Sequence, residues 1–169
     1  MKKLVFLICC LAVTFGYAKD LPINSLVDMK AINCNAVFQN PESKISILLQ
    51  DFSGDGQKNI KLDKGKQTMV IGKNTYHGVY GYQYYKTKNV EQQDLAVSFN
   101  TFGVKVIKIA LKSIKNNESE SGAYYFIFQG SPVDVTYKIR KVMGSDWNIE
   151  NTLDETPLGN TKLECVYAG

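Results

Sequence analysis

The sequence predicts an all-β fold, an antiparallel β-sandwich or small barrel whose N- and C-terminal strands are joined by a disulfide. Three observations carry this expectation. About nine short runs rich in Val, Ile, Phe and Tyr are separated by turns of Gly, Pro, Asn and Asp. No convincing helix, internal repeat or low-complexity linker interrupts them. Beyond the N-terminal leader the chain holds only two cysteines, Cys34 and Cys165, near its opposite ends.

The first residues read as an export signal. Met1-Lys2-Lys3 is a basic start, Leu4 to Phe15 an apolar core, and Gly16-Tyr17-Ala18 a small-x-small cleavage site before Lys19. Residues 1–18 are therefore expected to be a cleaved signal peptide, and 19–169 a single all-β domain. The apolar run falls short of the roughly 20 residues that cross a bilayer. Cys9 and Cys10 lie inside that run after Ile8, which departs from a lipoprotein acylation site.

The formal net charge is +4, and Lys2 and Lys3 carry part of it. The other lysines are scattered among acids, so no nucleic-acid surface is expected. No transmembrane helix candidate follows the leader. An exported chain left with two cysteines favours a disulfide, because its compartment is oxidising. Closing nearly the whole domain into one loop is worth roughly 4–5 kcal/mol in the chain-entropy model.

Taken in order, Leu26 to Phe38 gives a first strand by the shared parity of Leu26, Ile32, Cys34, Ala36 and Phe38. Asn40 to Ser43 is a turn and Lys44 to Gln50 a second strand. Asp51-Phe52-Ser53-Gly54-Asp55-Gly56 reads as a hairpin turn leading to a strand at Asn59 to Leu62. Thr68 to Ile71 is a short strand, and Thr75 to Thr87 a tyrosine-rich one. After the polar Asn89 to Gln93, Asp94 to Phe99 is the next strand.

Gly103 to Lys115 is ambiguous. Val104, Ile107, Leu111 and Ile114 would line a helix face, whereas Ile107, Ile109 and Leu111 share strand parity. Its β-branched residues weigh toward a strand. Asn116 to Gly122 is a polar loop, and Ala123 to Gln129 a strand apolar on both faces. Val133 to Arg140 alternates most regularly, with Val133, Val135, Tyr137 and Ile139 expected inward. A last strand, Thr161 to Tyr167, places Leu163, Cys165 and Tyr167 on one face.

Candidate chemistry is sparse. Asp51 to Gly56 resembles the opening of an EF-hand calcium loop, but its twelfth position is Leu62 where a bidentate glutamate is needed. His77 is the sole histidine, with no Gly-x-Ser-x-Gly elbow or thiolate partners for a triad or zinc site. Neither the Gly-x-Trp start of lipocalins nor the Cys–Trp–Cys spacing of immunoglobulin domains is present. No metal, cofactor or catalytic constellation is expected, and Asn117-Glu118-Ser119 reads as a chance sequon behind a bacterial-looking leader.

The unusual feature is tyrosine: Tyr76, Tyr80, Tyr82, Tyr84 and Tyr85 lie close together. On an unbroken strand Tyr76, Tyr80, Tyr82 and Tyr84 project to one side. They form either a cross-strand ladder or a binding surface, and Trp147 either caps one end of the core, the favoured reading for a large aromatic, or adds an anchor to that surface. Gly78 and Gly81 mark a bulge or close backbone approach. These features together predict an exported bacterial β-sandwich that binds a protein or glycan without catalysing a reaction. The alternatives are a small outer-membrane barrel, disfavoured by short strands and the Tyr167-Ala168-Gly169 ending, and a secreted hydrolase using acids whose pairing the sequence does not show.

Overall fold

Short β-branched and aromatic runs build two sheets in the computed structural model, which describes residues 18–34, 43–53, 59–115, 120–145, 147 and 153–168. The smaller sheet contains β1 (Asp20–Pro22), β2 (Lys61–Asp63), β3 (Thr68–Ile71) and β4 (Asn74–His77) in the order β1-β4-β3-β2. β1 runs parallel to β4, and the other pairs are antiparallel. The larger sheet is antiparallel throughout. It contains β5 (Val79–Lys86), β6 (Val90–Thr101), β7 (Val104–Lys115), β8 (Glu120–Phe128), β9 (Leu153–Glu155) and β10 (Thr161–Ala168), ordered β5-β6-β7-β8-β10-β9. Among the described residues neither sheet closes into a barrel, so the two-sheet alternative of the expected fold is the one observed.

The protein is mostly β, but three of the expected strand regions are helical. Ile45–Ser53 is a helix, α2, because Ile45, Leu48, Leu49 and Phe52 recur at helical spacing and all four are buried. Val133 to Arg140 belongs to α3 (Pro132–Met143). Ser131 caps it by accepting from the Asp134 amide, Pro132 opens its first turn and Gly144 follows its end. Val135 and Ile139, one turn apart, are buried, whereas Val133 and Tyr137 are 78% and 69% exposed. The alternation was coincidental.

In the first region, Ile23–Leu26 is a 3-10 turn and Met29–Ile32 a single-turn helix, α1, capped by Asp28. Residues 35–38 of that expected strand lie outside the described residues. So do the leader through residue 17, most of the turns at 40–43 and 54–58, and the sequon. The ambiguous Gly103 to Lys115 is a strand as its β-branching indicated, and β6 takes in most of the polar stretch before Asp94.

One core joins these elements. The inner face of the larger sheet contributes Leu95, Val106, Ile109, Tyr124, Phe126, Phe128 and Leu163. The helices add Ala31, Leu48, Phe52, Val135 and Ile139, and the smaller sheet adds Met69, Ile71 and Tyr76. The Tyr124 hydroxyl donates to the Ala31 carbonyl at 3.0 Å, fastening α1 to β8. Cys34, just past α1, bonds Cys165 on β10 across 131 residues of sequence. The disulfide thus joins the N-terminal region to the last long strand, although Cys34 follows a helix rather than lying on a strand.

Gly78 is the pivot between the sheets. It has φ 86°, and its amide and that of Val79 both donate to the Gln67 carbonyl, at 2.8 and 3.0 Å. A β-carbon there would meet Ile23 Cγ2 at 3.1 Å, so both conformation and space call for glycine.

Candidate functional site: a tyrosine-bearing border strand

β5 forms one border of the larger sheet. It pairs with β6 on one side and, among the described residues, with no strand on the other. Proteins usually protect such a border with lysine, proline, bulges or short strands. β5 has a register shift between Val79 and Gly81 and a lysine, Lys86, at its far end. The strand carries four tyrosines, Tyr80 at the shift and Tyr82, Tyr84 and Tyr85 beyond it.

The bulge breaks the expected single-sided stripe. Tyr76 belongs to β4, across the Gly78 pivot, and is fully buried, with its hydroxyl donating to Asp51 Oδ2 at 2.5 Å. Tyr80 sits at the register shift. Tyr82 and Tyr84 share a face opposite Leu95 and Gln93, and Tyr85 projects from the reverse face with Gln83. Tyr82 is half-buried: its ring stacks on Phe52 at 6.1 Å with an 11° interplanar angle. Its hydroxyl donates to Gln93 Oε1 at 3.1 Å.

Tyr80, Tyr84 and Tyr85 remain 43%, 43% and 49% exposed. The Tyr84 hydroxyl donates to Glu91 Oε1 at 2.8 Å and that of Tyr85 to Gln83 Oε1 at 2.7 Å, so both rings are oriented from within the hairpin. Tyr85 is the member that parity reasoning left out, since it points away from its neighbours. Trp147 joins the main core at 5% exposure; its carbonyl accepts from Arg140 Nε at 3.1 Å. The structure places it beyond α3, which packs against β7, β9 and β10, and not with the tyrosines.

The larger sheet's other face carries a polar lattice that sequence reading missed. Asp94, Ala110 and Tyr125 occupy neighbouring register positions on β6, β7 and β8. The small Ala110 lets the longer side chains on either side meet above it. Asp94 is 5% exposed and accepts from Lys108 Nζ at 2.7 Å, Gln92 Nε2 at 2.8 Å and the Tyr125 hydroxyl at 3.3 Å. Lys162 lies 5.5 Å from the Tyr125 ring centroid and pairs with Glu164 and Asp154. The Asp94 carboxylate is fully engaged, and burial and then the Asp94 charge push the Tyr125 phenol well above its ordinary range, so it acts as a donor.

The lone His77 lies at the surface, paired through Nε2 with Asp20 across β4 and β1. Among the described residues no group of three or more His, Cys, Asp and Glu could hold a metal ion.

The raised tyrosines make a checkable prediction. Burial, then the neighbouring Tyr84 and Glu91, push Tyr82 up to about 12. Tyr76 is pushed higher still, by burial and then Asp51. An unfolded phenol titrates near pH 10. The fold favours the neutral form, so this stabilisation is complete below about pH 10 and is lost as pH rises through the folded values. Absorbance at 295 nm should show incomplete tyrosine ionisation at pH 11 while circular dichroism still reports a folded protein. The Tyr82→Phe variant should lack the step near pH 12.

None of the protein-family models, curated proteins or solved structures compared with this chain matches it.

Proposed function

We propose that this is an exported bacterial binding protein, without catalysis, that takes an extended segment of a protein partner along β5. The observation that carries the reading is the border itself: from Gly81 to Lys86 the strand pairs, among the described residues, with β6 alone, and Tyr80, Tyr84 and Tyr85 are exposed. The free backbone groups of a border strand are what an added strand satisfies, and flanking side chains supply selectivity. Tyrosine rings give large contact area at small cost in side-chain freedom. Glycan stacking would use the rings and leave the border's backbone unused, so a polypeptide fits more of the surface.

The Cys34–Cys165 disulfide fits a protein outside the cytoplasm. Among the described residues no helix is long and apolar enough to cross a membrane. Export from the leader and the Gly16-Tyr17-Ala18 site completes the reading.

The test combines photo-crosslinking with affinity. A photoreactive residue at position 84 should capture a polypeptide from envelope fractions, and one at Tyr137 should not. The Tyr80→Ser/Tyr84→Ser/Tyr85→Ser variant should bind the captured polypeptide at least tenfold more weakly, a loss of about 1.4 kcal/mol. Equal binding by a variant with an unchanged circular dichroism spectrum would remove β5 from the reading. Tyrosine-dependent binding to a glycan array, with no captured polypeptide, would transfer it to a glycan.

A further inference from the structure

The border strand leaves a second built site unexplained, at the start of the smaller sheet. The backbone nitrogen of Lys19 lies 3.0 Å from Asn74 Oδ1, and the Lys19 carbonyl accepts from the Thr75 amide at 2.8 Å. The parallel ladder of β1 with β4 continues from there through Asp20, Leu21 and Pro22. Asn74 is 4% exposed, and its Nδ2 donates to Asp51 Oδ2 at 2.8 Å. The same oxygen receives the hydroxyl of the fully buried Tyr76. One amide therefore bridges the Lys19 nitrogen and a carboxylate.

That carboxylate is short of positive charge. Asp51 lies in the last turn of α2, which has no basic residue, where the helix dipole disfavours an anion. Among the described residues Asp51 forms no ion pair. Its two neutral donors both reach Oδ2 and leave its charge uncompensated.

Sequence and structure converge on one atom. The small-x-small motif Gly16-Tyr17-Ala18 makes Lys19 the first residue after cleavage, and the Lys19 nitrogen is the atom held by Asn74. In the precursor this nitrogen is an amide with one N–H. Hydrolysis of the Ala18–Lys19 peptide bond puts a carboxylate on Ala18 and leaves Lys19 with an α-ammonium of three donors and one positive charge. Its contact with Asn74 Oδ1 then becomes charge-assisted, about twice as strong as a neutral one. The ammonium polarises the Asn74 amide, whose other end donates to Asp51, so each bond strengthens the next.

We infer that Asn74, backed by Asp51, is a docking site for the mature chain's own α-ammonium, so that leader removal fastens β1 onto β4. The ligand class is a primary ammonium at the start of a chain, supplied in cis. The Asp20–His77 pair closes the same strand pair a step further on.

The experiment compares the processed protein with one carrying Gly-Ser before Lys19, each in wild-type, Asn74→Ala and Asp51→Asn backgrounds. Intact-mass analysis of exported protein should place Lys19 first. The extension should lower the thermal midpoint by about 2–4 °C in the wild type, the shift expected at this chain size. In the Asn74→Ala background the shift should shrink to experimental error, and in Asp51→Asn, which keeps the Asn74 contact but removes the charge behind it, the shift should be measurably smaller than in the wild type. An aminopeptidase should trim the processed wild type at least tenfold more slowly than either processed variant. If Asn74→Ala does not fold, Asp51→Asn, which keeps the shape and an acceptor oxygen, decides alone. A mature start elsewhere than Lys19, or an equal shift in every folded background, overturns the inference.

Discussion

Replacing the disulfide by Cys34→Ser with Cys165→Ala should lower stability by roughly 4–5 kcal/mol, the largest loss expected from any small change to this chain. The bridge closes a loop of 131 residues, so it confines almost every conformation that the unfolded domain could explore. Little else is positioned to replace it. α1 has one turn and cannot persist alone, since helices of that length do not offset their nucleation cost. Its anchors are the disulfide, the Tyr124–Ala31 hydrogen bond and the burial of Ala31 and Ile32. Cys34 adopts φ 55°, a left-handed conformation that the cross-link holds directly after the helix.

Domains of this kind have about 5–15 kcal/mol in total, so the variant should stand near the edge of folding. Urea denaturation of the oxidised protein and the double variant measures the difference. The variant should also lose amide-exchange protection first at Ala31 to Asn33, because that segment is tied to the sheet through the bridge. A drop below about 1 kcal/mol would mean that the reduced chain keeps its ends together by other contacts, contrary to the chain-entropy account.

The sequence made the larger sheet legible because its strands are long and β-branched, and because the disulfide follows from cysteine number once export is assumed. It misled where a short segment satisfied two periodicities. In Val133 to Arg140 every second residue is apolar, yet Val135 and Ile139 also stand one helical turn apart. The deciding signals were at the ends: Ser131-Pro132 with Asp134 in the first turn, and Gly144 after the last. Ile45 to Phe52 carried a helix pattern that the division at Asp51 cut short. Chain-end chemistry settles cases that apolar spacing leaves open.

The candidate site was half legible for a similar reason. Clustered tyrosines were visible, but their division between two faces depends on one extra residue at Tyr80 and a left-handed glycine at position 78. A bulge shifts every later side chain relative to the earlier ones, so Tyr76 enters the core while Tyr84 reaches solvent. The lattice around Asp94 lay beyond sequence reasoning altogether. Its members come from β6, β7 and β8, and only strand register brings them together.

That lattice leads to the second large effect. The Asp94→Ala variant should lose about 2–3 kcal/mol, because three donors then lack their shared acceptor. The largest part falls on Tyr125, whose hydroxyl is held over Ala110 in a nearly closed site and cannot easily turn to water. Lys108 contributes less, since its side chain is 37% exposed and its ammonium can rehydrate. The Tyr125→Phe variant removes a donor to Asp94 and an acceptor of Gln92 Nε2, whose amide keeps Asp94 as its partner, and should cost only about 1 kcal/mol. In the double variant the losses should fall short of additive by about 1 kcal/mol, which identifies the hydroxyl–carboxylate contact as their shared component. Urea denaturation of the four proteins gives the cycle. Full additivity would leave Lys108 and Gln92 as the partners that matter to Asp94. The effect should also reach the border strand, because Asp94 lies opposite Gln83, which holds the Tyr85 hydroxyl. If β5 takes a partner strand on a preset aromatic surface, the still-folded Asp94→Ala protein should bind its crosslinked polypeptide severalfold more weakly. Unchanged affinity would limit the lattice to holding the sheet together and leave Tyr85 oriented by its own hairpin.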